Sequence, residues 1–265
     1  MDLGLGERAC IVTGASGGFG GATAEVLARE GASILLAGRR EDRLRALAER
    51  CSELGGRALP VALDLTAADA GDRIVAACEA EFGRVDVLVN SAGTTAARTL
   101  DELTDEDWQR QWELNVLAPM RLMRAAAPVM AKRGFGRIVN VCSSSGKRPS
   151  STNMAYSVTK AAELSLSRSF AELYAGLGVL VNALAPGPVA DDVWLATGGL
   201  ADQLAEKSGA SRDEVLERTA SRVPLGRFGS AQEIAAVIVF LCSEQASNVA
   251  GAAWSVDGGS VPVII

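Results

Sequence analysis

Residues 11–28 read IVTGASGGFGGATAEVLA. A β-branched apolar run ends at Thr13–Gly14, and a helix-period pattern opens about five residues later. Gly14, Gly18 and Gly20 stand in the spacing T-G-x-x-x-G-x-G between them. Glycine permits the sharp turn and lets a pyrophosphate approach the backbone. The helix that follows offers free N–H groups and a partial positive charge to that anion. A glycine pattern alone is weak, but this one sits at a strand-to-helix junction and is followed by further β-α units.

Outward from that stretch, short apolar runs alternate with helical ones. Strands are expected at ACIVTG near Ala9, SILLAG near Ser33, ALPVAL near Ala58, VDVLVN near Val85, RIVNVC near Arg137, VLVNAL near Val179 and AWSVDG near Ala253. Helix patterns such as GATAEVLAREG, EDRLRALAERCSELGG and DRIVAACEAEFG each close on glycine, as helix C-termini commonly do. Runs apolar throughout imply a sheet covered on both faces. The β-α-β order then predicts an α/β fold, a Rossmann-type doubly wound parallel sheet of seven strands. No repeat or long linker divides residues 1–265, so one domain is expected. Residues 187–227, with GPVADDVWLATGGL and RVPLGRFG, interrupt the alternation and are expected to form a substrate lid.

Composition narrows the function. The 265 residues carry a net charge of −6 and are 48% hydrophobic. A long basic surface for nucleic acid is not expected, and no apolar run is long enough to span a bilayer. The first residues carry Asp2, Glu7 and Arg8 where a signal peptide needs an apolar core; a cytoplasmic protein is expected. Five scattered cysteines without C-x-x-C, in a chain with no histidine, predict isolated thiols and no metal site.

In order along the chain stand TGASGGFG, NSAG at Asn90–Gly93, Asn115, GRIVNVCSSSG at Gly136–Gly146, YSVTK at Tyr156–Lys160, NALAPGPV at Asn182–Val189, and SVDGG. Together they resemble the classical short-chain dehydrogenase/reductase family, including members of the 3-oxoacyl-[acyl-carrier-protein] reductase type, over essentially the whole chain. The resemblance implies hydride transfer between a nicotinamide and a carbonyl or secondary alcohol. It assigns the catalytic roles to Asn115, Ser143, Tyr156 and Lys160, with Ser144 and Ser145 close to Ser143 in the sequence. It places cofactor contacts at Gly14, Ser16, Gly18, Phe19 and Gly20, at Asp64 and Leu65, and at Asn90, Ala92 and Gly93. Tyr156, Lys160, Pro186, Gly187 and Val189 complete them. An N-cap role competes for Asp64.

The second strand ends ILLAGRREDRL. An acidic residue there would bind the ribose hydroxyls of NAD. Gly38 stands in its place, followed by Arg39 and Arg40, whose guanidinium forks suit a 2′-phosphate. NADP(H) is therefore favoured over NAD(H), although a solvated helix start would also account for two arginines.

Tyr156 and Lys160, four apart, share a helix face. A free phenol has a pKa of about 10. Bringing it down by about three units needs roughly 4 kcal/mol, which one adjacent ammonium and a positive nicotinamide would supply. The phenol would then serve as acid in reduction and base in oxidation. Ser143 would stabilise the developing oxyanion. Asn115 interrupts a helix pattern in WELNVLAP, and the family uses it to hold a relay water. Where the family often has a phosphate-binding Thr, Asp191 and Asp192 stand, two carboxylates that would repel a pyrophosphate.

The substrate side stays open at this level. An acyl carrier protein would want basic residues at the cleft mouth, and Asp191 and Asp192 oppose it. A small polyol, steroid-like or cyclic alcohol is the alternative, with Trp194, Leu195 and Leu200 as candidate apolar lining. A non-catalytic dinucleotide-binding regulator would leave the Ser-Asn-Tyr-Lys set unexplained. The helix patterns at 105–133 and 153–176 resemble the family's dimer-forming pair, and Val256–Ile265 resembles a second interface. A homotetramer is expected, or a homodimer.

Overall fold

The computed structural model describes residues 2–262; the end of the proposed second interface, residues 263–265, lies outside the described residues. Seven parallel strands form one sheet in the order β3-β2-β1-β4-β5-β6-β7. They are β1 (Ala9–Thr13), β2 (Ser33–Gly38), β3 (Arg57–Ala62), β4 (Val87–Asn90), β5 (Gly136–Val141), β6 (Val179–Pro186) and β7 (Ala253–Val256). All seven fall on the runs named above. β1, β4 and β5 are buried at every position, as strands covered on both faces must be. The edges differ: β3 is only partly buried, and β7 alternates exposed with half-buried residues. Their ladders have one partner each.

Helices α1 (Gly18–Arg29), α2 (Glu41–Glu53) and α3 (Ala70–Phe82) return the chain between the first strands. Gly83 closes α3 in the left-handed conformation, φ 74°. Two apolar layers result. One joins Val12, Leu36 and Val89 to Leu27 of α1. The other joins Ile11, Leu35 and Leu88 to Ile74 of α3 and to Met123 and Met130.

After β4 the chain forms α4 (Asp105–Trp112), a π-helical turn (Glu113–Leu117) and α5 (Ala118–Lys132). α6 (Ser144–Lys147) and α7 (Met154–Tyr174) follow β5. α4 and α7, the elements on which the resemblance implies a dimer contact, leave Trp112, Val158 and Leu173 exposed. The segment after β6, which looked irregular in sequence, holds three short helices: α8 (Asp192–Leu195), α9 (Leu200–Ser208) and α10 (Arg212–Ser221). Helix α11 (Ala231–Cys242) then packs on α1 before β7. No described helix is long and apolar enough to cross a membrane. All five cysteines are buried and free.

The strand order reverses direction between β1 and β4, which are adjacent although not consecutive. Loops leaving neighbouring strands diverge there, and a crevice opens outside their C-terminal ends.

Candidate active site

That crevice is a cleft of about 920 Å³ running from the glycine loop to Tyr156. At its head, Gly14 has φ 66°, and a Cβ there would lie 2.9 Å from the Ala92 backbone. A Cβ on Gly20 would lie 2.6 Å from the Gly14 carbonyl oxygen, so α1 packs against the turn only because glycine stands there. Thr13 ties this turn to the next. Its hydroxyl donates to the Val89 carbonyl at 3.3 Å and accepts from the Ser91 and Ala92 amides at 3.1 and 3.3 Å.

Gly14, Ser16, Gly18 and Phe19 line the cleft. Gly20 lies beneath the loop, and Asn90 is buried in the sheet, donating to Asn140 Oδ1 at 2.8 Å. These two shape the wall without lining it. Arg39 and Arg40 both reach the cleft. Arg40 curls over the loop, donating to the Ser16 carbonyl at 3.0 Å and to Ser16 Oγ. Asp64 and Leu65 line the far end. One Asp64 oxygen accepts from the Thr66 amide and hydroxyl, both at 2.9 Å. Those bonds hold its carboxyl below the usual range. Asp64 thus braces its own turn and still faces the cleft. Across from the glycine loop lie Pro186, Gly187 and Val189.

Asp191 and Asp192 do lie over the anion position. The place a Gly18 Cβ would occupy is 3.4 Å from Asp191 Oδ2, and that of Gly17 is 3.7 Å from Asp192 Oδ2. Asp191 caps α8 through the Val193 amide at 3.1 Å, while Asp192 pairs with Arg43 of α2 at 3.3 Å. Burial, with Asp192 beside it, raises the Asp191 carboxyl above its ordinary value despite the cap.

At the other end stand Ser143, Tyr156 and Lys160. Ser143, two residues past β5, caps α6 and accepts from the Ser145 amide at 3.1 Å. Tyr156 lies in the first turn of α7, half-buried and open to the cleft. Lys160, one turn on, is almost wholly buried, with its ammonium 5.7 Å from the phenol ring centre. A Cβ on Gly93 would lie 3.6 Å from that ammonium and 3.4 Å from Asn115 Oδ1. Both are ordinary van der Waals distances, so the two groups lie just behind Gly93 without requiring a glycine there.

Asn115 is fully buried in the π-helical turn. Its amide donates to Gln111 Oε1 at 2.7 Å and to Thr159 Oγ1 at 3.1 Å, joining α4 to α7. The widened turn fits a residue with low helix propensity and a functional position. Asn115 therefore stands behind the wall, against Gly93.

Sequence reasoning missed one group. Glu163, 1% exposed, accepts from Lys160 at 2.7 Å. Within an apolar helix stretch it reads as one more solvated charge, and nothing in its spacing separates it from Glu172. Burial first, and Glu163 in smaller part, change the expectation for Tyr156. Burial raises the phenol pKa, Lys160 and Ser143 lower it, and Glu163 and Cys142 raise it again; in the chain itself it stays above the ordinary value. Lys160 is driven down by burial but lifted further by Glu163, so it stays protonated.

These residues fit a dinucleotide. The glycine turn packs closely because Gly14 and Gly20 carry no side chain, Gly17 and Gly18 line the cleft with Arg39 and Arg40, and the same cleft reaches the phenol.

Comparisons agree with that geometry. The family model described as short chain dehydrogenase matches residues 8–197. L-sorbose reductase from Gluconobacter frateurii, solved with NADPH and L-sorbose, is 37% identical with a TM-score of 0.93, covering 100% of both chains. The short-chain reductase protein NovJ of Streptomyces niveus is 37% identical over 96% of this chain and 94% of its own. A 3-oxoacyl-[acyl-carrier-protein] reductase of Thermotoga maritima is 34% identical over 97% and 99%. With its glycine turn and its Ser143–Tyr156–Lys160 cluster at opposite ends of one cleft, the chain belongs to the short chain dehydrogenase family of NAD(P)-dependent oxidoreductases.

Proposed function

We propose that this protein is an NADP(H)-dependent reductase of small polar ketones, running in reverse as a secondary-alcohol dehydrogenase. The observation that carries this is the single cleft joining Arg39 and Arg40 at one end to Ser143, Tyr156 and Lys160 at the other. Bound nicotinamide would supply the hydride. Tyr156 would give its proton to the carbonyl oxygen, so hydride and proton together make the alcohol. Ser143 would donate to the same oxygen as charge develops. Lys160 would place an ammonium beside the phenol, and Asn115 would keep α4 and α7 at fixed spacing around it. Residues 187–227 would serve as the lid, with Trp194, Leu200 and Leu204 on its inner side.

Arg39 supports the choice of cofactor. Among the described residues it makes no ion pair or hydrogen bond, while it faces the cleft beside Gly38. A polar substrate is supported by Ser145, Ser150, Thr152 and Asn153, which line the cleft near Tyr156, and by the likeness to L-sorbose reductase. A second reading, a 3-oxoacyl thioester, has the Thermotoga relative and the apolar lid side chains in its favour. The acidic pair Asp191 and Asp192 at the rim weighs against an acidic carrier protein.

Steady-state kinetics with NADPH and NADH on a polyhydroxy ketone, a cyclic ketone and a 3-oxoacyl thioester tests this. The expected result is the highest kcat/KM for the polyhydroxy ketone with NADPH. Arg39→Asp should lower the NADPH value by about 10- to 100-fold, the loss of one charge-assisted fork. Equal use of both cofactors by the wild type, untouched by that substitution, would contradict the cofactor assignment; preference for the thioester would replace the substrate assignment.

A further inference from the structure

Lys160 has three N–H donors. One goes to Glu163 Oε2 at 2.7 Å and one to the Val141 carbonyl at 2.9 Å. Both partners lie behind the lysine, in the seam between α7 and β5, which leaves one donor for the cleft. The two side chains of the pair are each 2% exposed. A carboxylate in that position offsets part of the ammonium's charge as felt at Tyr156, and the burial of both side chains leaves little solvent to screen it.

We propose that Glu163 is a positioning residue that clamps Lys160 behind Tyr156, offsets its charge there, and sets the site to donate a proton rather than accept one near neutral pH. The inference rests on the assignment of Tyr156 as proton donor given above and extends it to the direction of use. Carbonyl reduction needs the phenol protonated, and alcohol oxidation needs it ionised. A carboxylate opposing the lysine keeps the phenol protonated to higher pH. The reductive plateau is thereby extended upward, and oxidation is confined to alkaline solution.

Few other groups face this trio. Cys142, at the end of β5, contacts Glu163, but burial pushes its thiol well above the usual range and it stays neutral. Lys147 of α6 is turned to β7, bonding the Ala253 carbonyl at 2.7 Å and Ser255 Oγ at 3.0 Å. From α4 and the π-helical turn come the uncharged Gln111 and Asn115. Of the charges on these elements, Glu113 pairs with Arg121 of α5 and Asp107 with Arg98 and Arg110, while Glu106 of α4 lines the cleft without an ion pair among the described residues. β6 carries no ionisable side chain.

The chain has two tyrosines, so phenolate formation can be read directly. Tyr174 stacks on Phe170, and Tyr174→Phe keeps that ring while leaving Tyr156 alone. Near-ultraviolet titration of this full-length variant should show the phenol protonated up to or beyond the ordinary tyrosine value of about 10. Adding Glu163→Gln, which keeps an acceptor for Lys160, should move ionisation at least about one unit to lower pH. Alcohol oxidation near neutrality should then rise about tenfold relative to its alkaline plateau, one unit being a factor of ten. A phenol that ionises well below the ordinary value with Glu163 present would overturn the proposal, and that measurement stands even if Glu163→Gln does not fold. So would a folded Glu163→Gln protein whose titration is unmoved or shifted upward. If the titration moves as expected while no ketone is reduced, the proposed activity fails and the role of Glu163 stands.

Discussion

The cleft holds two acid–base pairs that look alike and behave differently. On the floor, Lys160 and Glu163 meet at 2.7 Å, each 2% exposed. On the rim, Arg43 and Asp192 meet at 3.3 Å, 49% and 66% exposed. At contact distance, opposite unit charges attract by about 1 kcal/mol in bulk water and by about 4 kcal/mol at the effective dielectric near protein surfaces. The floor pair, on the proposal above, would set proton chemistry and would respond little to salt. The rim pair is worth roughly 0–1 kcal/mol and is a latch that solvent ions loosen. Burial, more than distance, separates the two pairs.

The largest way to sharpen this contrast lies on the floor. Ser143→Ala removes the donor proposed to meet the developing oxyanion and should lower kcat by about 100- to 1000-fold, with the KM for NADPH little changed. A loss confined to KM would instead make Ser143 a substrate anchor. The smallest lies on the rim. Asp192→Asn removes one of the two carboxylates over the glycine loop and frees Arg43. The KM for NADPH should fall about two- to fivefold at low ionic strength, and the difference should fade as salt is added. A KM that rises, or a change indifferent to salt, would mean that Asp192 holds the cofactor side open rather than crowding it.

The two regions were also unequally legible. Strands were readable because apolar runs of β-branched residues bounded by glycine have few other fates in a doubly wound sheet, and β1 through β7 fall where those runs lie. The Tyr156–Lys160 spacing fixes a shared helix face, and the structure sets both at one end of the cleft. Glu163 was not readable. Three residues from Lys160 a glutamate suits either a solvated or a buried face, and only the packing of α7 on β5 decides. The rim was hard for a different reason. Asp191 and Asp192 reach the glycine loop across 173 residues of chain from Gly18, and no local pattern encodes that contact. Part of the segment 187–227 did carry a signal that was overlooked: Ser211 and Glu214 form a capping box at the start of α10, the S-x-x-E signature of a helix N-terminus. The π-helical turn at Asn115 was foreshadowed only as a weak helix position.

The central claim is that the Tyr156 hydroxyl delivers the proton. Its most direct test is Tyr156→Phe, which deletes that oxygen and keeps the ring, assayed as NADPH oxidation against the best ketone of the panel, with NADPH binding followed separately by its fluorescence. The account predicts a fall in kcat of at least about 100-fold, the usual contribution of a positioned acid, with cofactor binding retained. Turnover within a few-fold of the wild type would contradict it.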